Sequence, residues 1–361
     1  MPTDIEVATR EGSPELPGVR SAGLRLRWLL GGLAVVVVAA LAGIALGPVG
    51  LPPQSVAVEL LNLLPGVHLN SGLNEREIAI ITQLRLPRVA LGLLVGAMLA
   101  LAGGCYQGVF RNPLADPYLL GVAAGAGLGA TVAIALRGQP GVGPAVPLYA
   151  FVGALGAVAL TYLLGAAGGR DRSTSTLILA GIAISSFLAA VQTYLLQRYS
   201  DTIREVYSWL LGQLATDGWS DVRMILPYAV ITAIVVLALR RELDVLSVGD
   251  AEAGSLGLHP ARSRLILVIA ASLATAAAVA VSGLIGFVGI IVPHVVRLLT
   301  GSSYRAILPL SMLYGGAFLV LADLVARTVS APVELPIGVV TAFLGAPFFV
   351  LVLRTTRSVR M

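Results

Sequence analysis

Ten stretches of this 361-residue chain are apolar over enough consecutive residues to enter a lipid bilayer. A crossing helix takes about 20 such residues, with a working range of roughly 17 to 25. The stretches fall at 28–47, 89–110, 118–136, 147–167, 175–197, 224–239, 265–283, 284–299, 306–326 and 336–353. Two are short for a full crossing, Met224–Leu239 and Leu284–Leu299, and the second contains Pro293. Such interruptions survive in a membrane where protein or a water-filled cavity covers the freed backbone groups. The pattern predicts an all-α polytopic membrane protein of about ten transmembrane helices.

Charge supports this over a soluble helical core. Only 12% of residues are charged, against about a quarter in soluble domains. Glycine, at 41 residues, is abundant, as it is where helices pack closely in a bilayer. The net charge of +5 raises the possibility of nucleic acid, but the arginines stand singly or in pairs at the ends of apolar runs. A membrane explains that placement, so no nucleic-acid partner is expected.

All 24 basic residues are arginine; the chain has no lysine. A Walker A loop needs a lysine on the nucleotide phosphates, so this chain is not by itself a standard P-loop ATPase, nor has it a lysine for a Schiff base. The single Cys105 cannot form a disulfide within one chain, and His68, His259 and His294 lie far apart without metal-ligand spacing. No metal site is expected. The absence of a catalytic constellation also weighs against a membrane-bound enzyme.

Ten spans put both termini on one side. If that side is the cytoplasm, sixteen arginines lie inside and eight outside, as the positive-inside tendency requires. Residues 1–27 are polar and of mixed charge. A cleaved signal peptide would have a shorter, less acidic positive region, so a disordered cytoplasmic tail is expected. A ten-span domain over 28–354 follows, with a polar cytoplasmic segment at 242–262 and a C-terminal tail at 355–361. Arg85, Arg88 and Arg327 then fall at the outer ends of their spans. They either anchor helices at lipid phosphates or meet an acidic partner, since guanidinium pairs well with carboxylates.

The blocks "LRLPRVALGLLVGAMLALAGGCYQGVFRNPLADPYLLGVAAGAGLGA" (84–130), "STSTLILAGIAIS" (173–185), "GDAEAGSLGL" (249–258), "GLIGFVGIIVPHVVRLLTG" (283–301) and "ADLVARTVSAPVELPIGVVTAFLGAPFF" (322–349) resemble permeases of the type II importers of the ATP-binding-cassette class. These carry ferric siderophores, haem and cobalamin. The resemblance implies ten spans, with the second to fifth and the seventh to tenth related as an inverted repeat, a common transporter plan. It also implies a second permease subunit (a homodimer or a close paralogue), two ATPase subunits that bind ATP and Mg, and an extracytoplasmic substrate-binding protein. No cofactor is expected on this chain. Localisation in the cytoplasmic (inner) membrane follows, with both termini cytoplasmic.

Residue roles follow from the same resemblance. Arg85, Arg88 and Arg327 match arginines that contact glutamates of the binding protein. Asn112 and Leu114, within "RNPLADP", match part of a cytoplasmic gate, completed by Thr174 and Ser175; a plain proline-terminated turn is the other reading. Ser185, Ser186, Gln192, Thr193 and Gln197 are polar within the fifth span and either line a cavity or bond neighbouring helices. Gly249, Asp250, Ala251, Leu256, Gly257 and Leu258 match the element that couples to the ATPase, in a segment that suits a short helix, a turn and a second helix. Asp323, the acidic residue set deepest in a span, has Arg327 at i+4 on the same helix face. No chain of buried ionisable groups marks an ion path, which weighs against a secondary carrier. A ferric siderophore is the expected cargo, from its frequency among such permeases, with haem or cobalamin as alternatives.

Overall fold

A computed structural model describes residues 24–136, 145–167, 174–214 and 218–358, and every regular element among them is helical. The expected N-terminal tail lies outside these residues up to position 23, and Leu26 and Arg27 already belong to the first helix.

The chain begins with α1 (Leu26–Ala45) and a short α2 (Pro53–Asn62). Next, α3 (Glu75–Ala79) opens on a capping box: Asn74 accepts from the Glu77 N–H while the Glu77 carboxylate accepts from the Asn74 N–H. One π-helical stretch, Ile80–Arg85, carries it into α4 (Leu86–Val109). The elements that follow are α5 (Val122–Ala135), α6 (Val146–Ala167), α7 (Thr174–Arg198), α8 (Ile203–Leu210), α9 (Trp219–Ala238), α10 (Arg240–Leu246) and α11 (Asp250–Ser255). The last four are α12 (Pro260–Ser282), α13 (Val288–Thr300), α14 (Tyr304–Thr328) and α15 (Ile337–Ser358).

Among the described residues seven helices are long and apolar enough to cross a membrane, and three shorter apolar helices are α5, α13 and the Ile337–Val352 part of α15. Together they occupy the ten stretches read from sequence. The second crossing starts earlier than its apolar run because the capping box launches the helix at Glu75. The third and eighth start later than their runs, at Val122 and Val288, because a left-handed residue precedes each: Gly121 (φ 84°) and Phe287 (φ 69°). Left-handed backbone cannot propagate a right-handed helix, so 118–121 and 283–287 stay non-helical.

Packing obeys the exchange expected of an inverted repeat. The second crossing, α4, lies along α14, and its counterpart α12 lies along α6; α5 pairs with α6 and α7 as α13 pairs with α14 and α15. The two counterparts α4 and α12 pack on one another at the centre, and both are largely buried, whereas α1, α7 and α9 leave most of their surface uncovered. Close approach depends on glycine. A Cβ added at Gly103 of α4 would lie 2.5 Å from the Gly289 Cα of α13, so backbone meets backbone there, as small residues allow inside membranes.

Candidate functional site

Three groups of polar residues stand out, one at each end of the bundle and one at its middle. At the end where α4 begins, the helix α1 finishes at Ala45 with carbonyls that have no partner in their own helix. Arg85 supplies it: Nη1 donates to the carbonyls of Ile44 (2.8 Å) and Ala45 (2.9 Å), and Nη2 to Val49. Arg327 donates to the Gly43 carbonyl and pairs with Asp323 at 3.4 Å. Gly43 makes room for this approach, since an added Cβ would sit 2.8 Å from Val89 and 2.9 Å from Val320. Arg85 (4% exposed) and Arg327 (3%) are therefore internal groups that cap α1 against α4 and α14.

Arg88 is placed differently. Nε and Nη2 bond the buried Asp323 at 2.8–3.0 Å, while Nη1 and Nη2 fork onto the exposed Glu334 at 3.0 and 2.8 Å. One edge of its guanidinium is thus fixed inside and the other meets a surface carboxylate. The structure does bring Arg85, Arg88 and Arg327 together, as their common position at span ends suggests, but only Arg88 reaches toward the surface. A partner surface touching Arg85 or Arg327 directly is at odds with this arrangement. The i,i+4 relation of Asp323 and Arg327 is legible in sequence; Glu334 gives no such signal, being 246 residues from Arg88.

At the opposite end, α10, a turn and α11 form the helix–turn–helix expected of the polar segment at 242–262, with α10 starting two residues earlier at Arg240. Gly257 (φ 82°) ends α11 in a left-handed cap, with Leu258 N–H bonded to the Ala253 carbonyl at 3.1 Å. Ala253 is buried and Leu256 is 71% exposed, so α11 turns one apolar side chain out to solvent; Ala251 is exposed beside it and Leu258 half-buried. Two aspartates fasten the segment. Asp250 accepts from Arg264 (2.8 Å) and Arg111 (3.2 Å), and the Arg264 hydrogen bond holds its carboxyl below the usual carboxylate range. Asp244 accepts from the Tyr304 N–H (2.6 Å) and the Ser303 hydroxyl (3.0 Å), capping α14. Sequence reading singled out Asp250 but not Asp244, Arg111 or Arg264.

In the loop after α4, Asn112 accepts from the Leu114 N–H at 2.9 Å, a local turn bond, and both residues are half-buried. Ser175 is exposed at the start of α7, and the side chain of Thr174 lies outside the described residues. Burial pushes the nearby Asp116 carboxyl up to about 6, against the N–H of Tyr118 that stabilises its charge. The polar residues of α7 divide between two faces. Ser185 and the Gln192 amide, which donates to Thr131 at 3.0 Å, turn toward α5. Ser186, Thr193 and Gln197, spaced seven and four apart, share the exposed face.

Between the two ends, Tyr118 and Ile285 join the non-helical entries to α5 and α13. The Tyr118 hydroxyl donates to the Ile285 carbonyl and accepts from the Ile285 N–H, both at 3.0 Å.

Ten apolar helices in an exchange-symmetric bundle, with two short helices, α5 and α13, entered through non-helical loops and a helix–turn–helix at one end, define a polytopic transport permease. The chain belongs to the FecCD transport family, whose model matches residues 33–355. It is 45% identical over 292 residues to the cobalamin import system permease protein BtuC of Halobacterium salinarum, covering 81% of this chain and 78% of that protein. It is also 36% identical over 320 residues to the Fe(3+)-citrate import system permease protein YfmE of Bacillus subtilis, covering 89% and 92%. A solved metal-chelate type ABC transporter in an inward-facing conformation superposes with a TM-score of 0.79 at 30% identity, covering 91% of this chain and 99% of that one. The protein is an ABC importer permease of this family.

Proposed function

We propose that this chain forms the translocation path for a bulky metal chelate, opened alternately to each side of the inner membrane by separate ATPase subunits. The observation that carries the reading is the α10–turn–α11 element. A lysine-free chain has no phosphate-binding loop of its own, and here the element presents Leu256 outward while Asp250 of α11 ties it to the loop after α4 and to α12, and Asp244 of α10 ties it to α14. A push on α11 is thereby delivered to the central helices, a rigid-body route to switching. ATP and Mg belong to the partner in this scheme.

In the same reading both termini and α11 face the cytoplasm, supported by the arginine distribution. The exposed face of α7, with Ser186, Thr193 and Gln197, meets a second permease subunit across the path. Residues 111–117 with Thr174 and Ser175 form the gate. A substrate-binding protein docks at the Arg88–Glu334 edge. Arg88 is the contact there, with Arg85 and Arg327 adding positive potential and holding the helices beneath it. For the cargo, a ferric siderophore is the first reading, supported by the similarity to an Fe(3+)-citrate permease. Cobalamin is the second, favoured by the higher identity to a cobalamin permease.

Replacing 249–257 with a Gly/Ser linker tests the coupling role: ATPase co-purification is expected to be lost, and retained ATPase activity linked to transport would refute it. Uptake of iron-labelled siderophore and of cobalt-labelled cobalamin into vesicles holding the assembled transporter separates the two cargoes.

A further inference from the structure

Helices α7 and α15 are not neighbours in the bundle, yet each rests through a glycine on one of the two non-helical entry loops. On α7, Gly181 lies against the Leu119 carbonyl, where an added Cβ would overlap it. On α15, Gly345 lies against the Phe287 ring, where an added Cβ would again overlap. These loops, 118–121 and 283–287, are the entries to the exchange-related helices α5 and α13, and Tyr118 bonds them through both polar groups of Ile285. A second contact sits alongside: a Cβ on Gly289 would lie 2.6 Å from Pro117. The order α7, Leu119, Tyr118, Ile285, Phe287, α15 is a continuous packed belt across the molecule.

We propose that Tyr118 is the positioning residue that makes α7 and α15 move as one unit during transport. Three features carry this. The linkage is two-sided, because a single hydroxyl bonds both the N–H and the carbonyl of Ile285, which belong to successive peptides, so the 283–287 loop cannot pull away from Tyr118 without breaking two hydrogen bonds. The contacts at the ends of the belt are tight: Gly181 meets the Leu119 backbone, and Gly345 meets Phe287 at Cβ and the near edge of its ring, the part of that side chain least able to give way. The loops are also non-helical, so each can move without dragging the intrahelical ladder of a full span. Motion imposed on α7 at Gly181 is therefore passed to the entry of α13 and on to α15 at Gly345, which gives both halves of the repeat one switching coordinate.

The inference is set within the transport reading, but its test needs neither cargo nor nucleotide, so its failure stands apart from failure of that reading. Cys105 is buried and is the chain's single cysteine; Phe343, 77% exposed on α15, can therefore carry a lone reporter thiol as Phe343→Cys. In the full-length chain in lipid nanodiscs, Gly181→Ala displaces α7, and the maleimide labelling rate at position 343 is read. The expected change is about 5-fold or more, the lower end of usual coupling between sites, and it should vanish when Tyr118→Phe is added. Labelling at 343 that ignores Gly181→Ala, or that shifts equally with and without the Tyr118 hydroxyl, overturns the proposal. Should Gly181→Ala fail to fold, Tyr118→Phe alone decides. Amide exchange at Ile285 and labelling at 343 should then both rise by about 5-fold or more, and faster Ile285 exchange with unchanged labelling at 343 overturns it.

Discussion

Arg85 donates from Nη1 to the carbonyl oxygen of Ile44 at 2.8 Å. A side chain at the end of one span is thus the cap for another helix 41 residues away. The negative end of the α1 dipole meets two guanidinium groups there, Arg85 and, through Gly43, Arg327.

Removing that cap should loosen α1. Arg85→Ala leaves the carbonyls of Ile44, Ala45 and Val49 without this donor, at a cost of about 2–3 kcal/mol. The expected result is a lower melting temperature in detergent and faster proteolysis between α1 and α2. Arg85→Lys should restore only part of the loss, because an ammonium cannot fork between carbonyls. An unchanged melting curve for Arg85→Ala would show that the cap is ornamental.

Asp323 stands between Arg88 and Arg327, with 4% of its side chain exposed. Asp323→Asn leaves two guanidiniums without their buried counter-charge, which costs about 3–5 kcal/mol when one partner of such a pair is lost. Little folded protein should then be recovered from membranes. Adding Arg327→Met should recover more than either change alone predicts, because the uncompensated charge goes too. Strict additivity of the two changes would argue against a coupled pair.

Gly103 and Gly156 give an internal comparison. A Cβ at Gly103 meets the Gly289 backbone, while a Cβ at Gly156 meets nothing within 4 Å. Gly103→Ala should destabilise by at least about 2 kcal/mol, since backbone on both sides must separate. Gly156→Ala should be neutral or gain about 1 kcal/mol from helix propensity. Size-exclusion monodispersity and thermal unfolding distinguish them, and equal behaviour of the two variants would count against the close α4–α13 crossing.

Asp116 supplies a pH signature. Its carboxyl is pushed up to about 6 by burial, so the native state takes up a proton before the unfolded chain does. The ionised form therefore costs stability at neutral pH, by on the order of 2 kcal/mol, and that cost fades as pH falls from about 6 to below 4. Asp116→Asn keeps an acceptor for the Tyr118 N–H and removes the charge. It should raise the melting temperature at about pH 8 and lose that advantage near pH 4. An advantage that persists unchanged across this range would show that the carboxyl titrates normally.

The coupling segment shows where sequence reading works and where it stops. The helix–turn–helix shape can be read from the mix of small and charged residues, while Gly249, Asp250, Leu256 and Gly257 are picked out by the resemblance to the permease family, and the structure places them on that element. What Asp250 binds was not legible: Arg111 is 139 residues away and Arg264 is 14. The five polar residues of α7 read as one group in sequence, but the helical period divides them between α5 and the exposed face.

Sequence alone determined that the chain enters a bilayer about ten times and that it has no phosphate-gripping lysine; of the two crossings read as short it placed the one at 284–299, whereas the one at 224–239 is a full 20-residue helix and the short one is α5. Those properties depend on the composition of a local window, because partition into hydrocarbon is decided segment by segment. Tertiary structure decided which arginines turn inward, which carboxylate holds Arg88, and that Tyr118 meets Ile285 across 167 residues. Those depend on distances between segments, set by glycine contacts that bring backbones together, and a hydrogen bond exists only where such packing places donor and acceptor within about 3 Å.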